Sequence, residues 1–267
     1  MPFTAAHVAA VLPAVHWQRR LRIDPTCLVI GSMVPDFEYF VRGEQVSSIS
    51  HTFVGLLVWC LPMTLILAAL YHHVVKWPVL LAAPRRLLRA FGDTEDMPAA
   101  RTARGLFAMV VGSLLGASTH LLWDGATHAR GLFVRAIPEL RARYVAPVIG
   151  ETALHRILQH TSTLVGLAIV VAYVAPSLLR RPIAIHVEHR RRAQLTFAIV
   201  IAVCVGLMQV RLHLAHLDDP GSIIVGTISG LLAGTVLASI LLRDAGRAFR
   251  EAARAQGAPL SDTARQA

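Results

Sequence analysis

Apolar positions in this chain fall in long unbroken runs, not at the three- and four-residue spacing of a surface helix. A helix needs roughly 20 apolar residues to cross a hydrocarbon core. Four runs meet that demand, over residues 52–75, 105–122, 161–179 and 222–242. A fifth, 195–210, is shorter but carries no charge. Each is apolar all round, so none reads as one face of a soluble helix. The pattern predicts an all-α fold: a polytopic membrane helix bundle of about five transmembrane helices, with short interfacial or re-entrant helices ahead of them.

Smaller signals refine this outline. The opening MPFTAAHVAAVLPAVHW lacks a basic start, contains Pro13, and meets Arg19 and Arg20 where a cleavage site would lie, so no cleavable signal peptide is expected. Residues 4–17 read as a short helix, with Thr4 available as its cap, in the interface or tucked among the spans. The apolar run 27–34 is too short to cross and reads as a re-entrant piece or a buried turn ending at Pro35-Asp36. Gly112 and Gly116, and again Gly226, Gly230 and Gly234, recur every four residues as smooth stripes on which helix backbones approach closely. Pro62 is expected to kink the first span. Residues 1–242 read as a single integral membrane domain. Residues 243–267 read as a cytoplasmic basic tail, helical and amphipathic at its start and disordered after it.

Composition agrees and adds a direction. Of 267 residues 55% are hydrophobic and 16% charged, which excludes a disordered chain. The net charge of +10 arises from 26 Lys and Arg against 16 Asp and Glu. In so apolar a chain that surplus points to cationic loops on one membrane side and to lipids as partners, not to nucleic acid. Sixteen of the cations lie in 76–104, 180–194 and 243–267, the other ten in 1–51, 123–160 and 211–221. The denser set is expected inside, giving an outer N-terminus and a cytoplasmic C-terminus. Cys27, Cys60 and Cys204 offer neither a disulfide framework nor a thiolate metal site. Oligomeric state is left open.

The alternation of spans brings chain-distant polar residues to the outer side. His51 precedes the first span, His120 and Asp124 end the second, His160 opens the third, and His7, Asp36 and Glu38 belong to the outer N-terminal region. Ionisable groups at membrane depth are costly and call for a functional explanation. The strongest local motif is His120-Leu-Leu-Trp-Asp124-Gly-Ala-Thr-His128, whose i, i+4 spacing aligns three candidate ligands about 6 Å apart on one helix face. Imidazole and carboxylate suit zinc or a similar divalent ion. His7, Asp36, His51, His120 and Asp124 form the expected set for one or two divalent ions, with Glu38 or His160 as proton acceptor.

Plainer readings stand beside these. A His120–Asp124 pair could lock a helix end, Asp36 could cap a turn, His51 could be an interfacial histidine, and His7 a satisfied core histidine. Glu38 could simply be solvated, and His128, following Gly125, ranks below the others. His155 reads as a surface residue, and His213 and His216, near Asp218 and Asp219, as a solvated loop.

At these residues the chain resembles a bacterial membrane family catalogued as domain of unknown function 4184. The resemblance rests on Met1-Pro2-Phe3-Thr4-Ala5-Ala6-His7, Gly31-Ser32-Met33-Val34-Pro35-Asp36-Phe37-Glu38-Tyr39, Ser50-His51-Thr52 and Thr119-His120-Leu121-Leu122-Trp123-Asp124. More loosely, the order of motifs is similar to membrane-bound metal-dependent hydrolases of the LexA-regulated inner-membrane type. Those carry Thr-His, Pro-Asp-x-Asp, His-Ser and a helix-end His-x-x-x-Asp. Here Glu38 stands for the second Asp and Ala6 for the threonine before His7. The resemblance implies a bacterial inner-membrane location and metal-dependent hydrolysis at the outer face, on a lipid or lipid-linked substrate. Arg130, Arg135, Arg141 and Arg143 are available to attract a phosphate-bearing headgroup, or are merely solvated. No G-x-S-x-G, P-loop or HExxH motif supports serine, nucleotide or zincin chemistry. Two other classes remain open: a haem-binding redox protein using paired histidines, and a transporter or structural membrane protein.

Overall fold

The computed structural model describes residues 4–91, 102–146, 150–179, 189–217 and 219–255. Short helices come first, among them Val8–His16 (α1), Pro25–Gly31 (α2) and Phe37–Arg42 (α3). The long ones follow: Phe53–Ala82 (α4), Ala103–Thr127 (α5), Leu154–Leu179 (α6), Arg190–Leu214 (α7) and Pro220–Leu241 (α8), and then Arg243–Ala255 (α9). Helices α4 to α8 are long and apolar enough to cross a membrane, α5 within an apolar stretch that runs to Ala136, and they make this an all-α multi-pass membrane protein. Among the described residues the strands are those of a small antiparallel hairpin, Arg143–Ala146 (β1) and Gly150–Ala153 (β2), with Arg143 opposite Ala153. Two four-residue strands inside a polar loop carry too short an alternation to be read from sequence.

The chain packs as two compact units: Met1–Phe37, Ser47–Ala68 and Ala99–Tyr173 form one, and Glu38–Val46, Ala69–Pro98 and Val174–Ala267 the other. In the first, α2 lies against α5. Asp24 starts α2 by accepting a 2.8 Å hydrogen bond from the Cys27 amide, with Pro25 pre-set in its first turn. The two backbones then meet closely. A methyl added at Gly31 would lie 2.6 Å from the Ser113 carbonyl oxygen, and one at Gly112 would lie 2.8 Å from that of Asp24. The glycine stripe of the second span therefore seats a short buried helix. Beyond it Val34, Cys60 and Ala117 form a buried cluster with Ile30, Leu56, Trp59, Met63 and Leu67 around it, which ties the Val34–Asp36 turn to α4 and α5.

In the second unit the other glycine stripe packs α8 on α7, where Gly230 approaches Val205 Cα and Gly234 approaches Ile201 Cα. The buried face of α9, Gly246, Phe249 and Ala253, covers Trp77, Leu80 and Leu81 at the end of α4. The amphipathic start expected for the tail is thus a docked helix. The disorder expected after it falls on 256–267, outside the described residues, as do 92–101 and 180–188 of the basic loops. Pro62 and Pro78 each follow a stretch where α4 widens to a π turn, Leu56–Cys60 and Tyr71–Val75. A proline removes one N–H and crowds the carbonyl four residues back, and the wider turn accommodates both.

Because the α2–α5 contact leaves no room for a Cβ, Gly31→Ala should destabilise the protein by about 1–3 kcal/mol, the usual cost of overpacking. Gly206→Ala, whose added methyl meets no atom within 4 Å, should leave the thermal midpoint of the detergent-solubilised protein unchanged. Equal midpoints for the two variants would refute the packing account.

Candidate metal centre

Each side chain of the centre is held by a different local device. The 3-10 turn Thr4–His7 delivers His7, and the Thr4 hydroxyl donates to Asp36 Oδ2 at 2.7 Å. The turn Val34–Asp36 buries Asp36 almost completely. Thr52 caps α4 by accepting from the Gly55 amide, which fixes His51 just outside the first turn. Ser47 Oγ and Ser50 Oγ both lie 2.9 Å from His51 Nδ1 and hold its ring. His120 is fully buried on α5, and its Nδ1–H donates to the Ser32 carbonyl at 2.8 Å. Asp124 follows one turn later on the same face.

These devices aim the remaining polar atoms at one another. His120 Nε2 lies 3.5 Å from Asp36 Oδ1 and 3.4 Å from Asp124 Oδ2. His51 Nε2 lies 3.6 Å from each of the same two oxygens. Ligand atoms of Asp36, His51, His120 and Asp124 all fall within 4.8 Å of one another. His7 stacks on His120, with ring centroids 3.7 Å apart, and its Nε2 faces Asp124 Oδ1 at 3.6 Å.

The separations carry chemical information. N···O hydrogen bonds run to about 3.2 Å, so the 3.4–3.6 Å contacts are not hydrogen bonds. Accordingly His7 Nε2, Asp36 Oδ1, His120 Nε2 and Asp124 Oδ1 are buried with no hydrogen-bond partner. Orphaned buried atoms of this kind are costly and rare. Tetrahedral ligands about 2.1 Å from a zinc ion stand about 3.4 Å from one another, close to the distances seen here. The donor set of two imidazoles and two carboxylates fits a divalent cation. Fixing His120 Nδ1 as the donor to Ser32 leaves Nε2 as the lone-pair nitrogen, and a backbone partner on the far nitrogen is the usual arrangement for a metal-ligating histidine.

Electrostatics differ among the residues outside the spans. Burial, with His120 beside it, lowers His7 to about 4 against the pull of Asp124 and Asp36, so its ring is neutral at neutral pH. Burial alone would raise Asp36, but the His120 and His51 rings and the Thr4 hydroxyl outweigh it and hold the carboxyl well below the ordinary range. Burial would lower His51, yet Asp124 and Asp36 outweigh it and raise it.

The other expected residues go elsewhere. Glu38 is buried, and its Oε1 accepts from Arg42 Nη2 at 2.8 Å and Nε at 3.1 Å along α3. His160 sits well inside α6 on an exposed face, because that helix begins at Leu154, earlier than its apolar run. His155, expected at the surface, is buried, with Nδ1 donating to the Leu140 carbonyl. His213 and His216 are exposed, and Asp219 caps α8 through the Gly221 and Ser222 amides. Arg143 pairs with Glu151 and Arg141 donates to the Val134 carbonyl. Sequence reasoning did not find Ser32, Ser47 and the Thr4–Asp36 bond. Their signal is weak, since small hydroxyl residues three or four positions from a histidine are common.

Comparison with known proteins extends over nearly the same chain. The model of a family described as Domain of unknown function (DUF4184) matches residues 1–240, which includes every residue of the centre. No curated protein and no solved structure matches the chain.

Protons and metal compete for His51 Nε2, and in the metal-free protein that ring keeps its proton above the ordinary value near 6.5. Zinc affinity should therefore rise with pH through and above that value, and binding in weak buffer at pH 7 should release protons, both measurable by calorimetry. Affinity independent of pH would remove His51 from the ligand set. The double variant Ser47→Ala/Ser50→Ala should weaken zinc binding by roughly 10–100-fold, as loss of a ligand's outer partners does elsewhere, with the fold retained by circular dichroism.

Proposed function

The chain belongs to this family of unknown function (DUF4184), and from that premise we propose a membrane-embedded, metal-dependent hydrolase acting on a lipid or lipid-linked substrate. The observation that carries the reading is that ligand atoms of Asp36, His51, His120 and Asp124 lie within 4.8 Å of one another, with Asp36 Oδ1 and His120 Nε2 buried and partnerless and His7 Nε2 facing Asp124 Oδ1 beside them. Zinc suits this mixed nitrogen and oxygen set best; when bound it would lower the pKa of a coordinated water toward 7 and polarise a scissile bond.

The chain's own residues supply the setting. Asp36 and His120, both nearly inaccessible, form the closed wall, while the His51 side chain is 23% exposed and marks the open side. The two serine hydroxyls keep the His51 ring in place at that opening. Beside His7 lies a cavity of about 250 Å³ walled by Ala6, Ala9, Ala10, Val165, Gly166 and Ile169. Apolar walls that reach His7, whose ring stacks on His120, favour a substrate with a hydrocarbon part. Glu38 is committed to Arg42 and His160 to an exposed helix face, so the reading assigns neither a step. Orientation follows the Lys and Arg bias: the site faces outward from a bacterial cytoplasmic membrane, with the N-terminus outside and the C-terminus inside.

Haem is disfavoured by the same geometry. Of the histidines a haem would use, His51 and His120 meet edge-on with ring centroids 5.6 Å apart and with the Asp36 and Asp124 carboxylates at their nitrogens, and His160 lies on an exposed helix face.

The test uses the full chain in detergent, stripped by chelation, reloaded with zinc and given phosphatidylethanolamine–phosphatidylglycerol vesicles. Mass spectrometry should show released headgroup or fatty acid only in the metal-loaded protein, and His120→Ala should lose both metal and turnover while remaining folded. A wild-type protein that holds zinc yet consumes no lipid would make the ion structural and end the hydrolase reading.

A further inference from the structure

Asp124 presents two oxygens, and each is flanked by two imidazole nitrogens. Oδ2 faces His51 Nε2 and His120 Nε2 at 3.6 and 3.4 Å. Oδ1 faces His7 Nε2 and His128 Nδ1 at 3.6 and 3.4 Å. The two contacts to Oδ1 repeat the nitrogen–oxygen spacings found at Oδ2, with different histidines. We propose that Asp124 bridges two metal ions, the second of which is held by His7 Nε2, Asp124 Oδ1 and His128 Nδ1. The proposal rests on the metal-centre reading above and extends it from one ion to two.

Three observations support a second ion in place of a hydrogen-bond network. First, His7 Nε2 and Asp124 Oδ1 are both buried, face each other and have no hydrogen-bond partner, so a cation between them would satisfy both. Second, the His7 and His120 rings are stacked at 3.7 Å with planes 17° apart. Nearly parallel rings at that separation direct their nitrogens to neighbouring points, and two-metal sites place their ions about 3.5–4 Å apart. Third, the two oxygens of one carboxylate are a common bridge between such ions, and Asp124 already turns one oxygen to each histidine pair.

His128 fits the role by position. It is the cap residue that ends α5, with extended backbone, so its ring turns back toward Asp124 one turn earlier. Its Nδ1 also lies 3.2 Å from Thr127 Oγ1 and 3.3 Å from the Asp124 carbonyl oxygen. In the absence of an ion Nδ1 thus has two hydrogen-bond partners, the Thr127 hydroxyl and the Asp124 carbonyl, which it would give up on binding one. With its side chain 32% exposed, His128 stands at the solvent side of the second site. Three protein ligands leave a coordination position open there, the arrangement of a catalytic rather than a structural ion.

Metal stoichiometry decides the matter. The full chain in detergent, dialysed against free zinc and analysed by plasma mass spectrometry, should hold two zinc ions per chain, and His128→Ala and His7→Gln one each. Loaded with Mn(II), the wild-type protein should give an exchange-coupled electron paramagnetic resonance spectrum that collapses to the isolated-ion form in His128→Ala. The spectrum of the wild type reports on the bridge even where a variant fails to fold. One zinc per wild-type chain, or two that His128→Ala leaves bound with unchanged affinity, would overturn the second site while the first stands. No zinc at all in the wild type would remove both readings together.

Discussion

The hydrogen bond from His120 Nδ1 to the Ser32 carbonyl is the contact on which the rest of the centre depends. It fixes the tautomer of a fully buried imidazole and turns its second nitrogen toward Asp36 and Asp124. The bond exists because Ser32 ends α2, and because α2 runs against α5 closely enough for their backbones to touch at Gly31, Gly112 and Gly116. A larger residue at any of these would separate the helices, and a displaced carbonyl would release the ring. The same contact sets where the chain emerges into the Val34–Asp36 turn, and so where Asp36 arrives. Packing of small residues and placement of ligands are one constraint here.

Gathering two carboxylates and several imidazoles inside apolar surroundings carries a large desolvation cost. Part of that cost is met by conventional partners. Thr4 serves one Asp36 oxygen, Ser47 and Ser50 serve one His51 nitrogen, and Ser32 serves one His120 nitrogen. For Asp36 and His120 the far atom is satisfied, while Oδ1 of the one and Nε2 of the other are buried with no hydrogen-bond partner. That division fits residues able to hold an ion, whereas a purely structural network would bond both ends.

The second compact unit is built on different terms. Its helices α7 and α8 pack through a glycine stripe, and α9 lays an aromatic and small-residue face over Trp77, Leu80 and Leu81. Glu44 and Arg211 add an exposed ion pair at 2.8 Å, a kind of contact that contributes little to stability. Among the described residues the metal-type cluster lies wholly in the first unit, and the second carries the docked basic helix.

Much of the architecture was legible in the amino-acid sequence because its causes are one-dimensional. Five uninterrupted apolar runs fix five helices, since the backbone in lipid must satisfy its own hydrogen bonds, and the spacing of His120 and Asp124 fixes their shared face. The candidate residues His7, Asp36, His51, His120 and Asp124 stood out because charges at span ends are conspicuous against that background. Tertiary structure alone decided which of them meet. Glu38 lies only two positions from Asp36 in sequence, yet a helical i, i+4 partner, Arg42, takes its carboxylate, while His120 finds its acceptor 88 residues away. His160 and His128 changed rank for a similar reason: helices begin and end where caps and neighbours allow, so α6 starts early and leaves His160 exposed, and α5 stops at His128 and turns it back on Asp124. Residue types and spans follow from local chemistry; the aim of each polar atom follows from long-range contacts that no local pattern encodes.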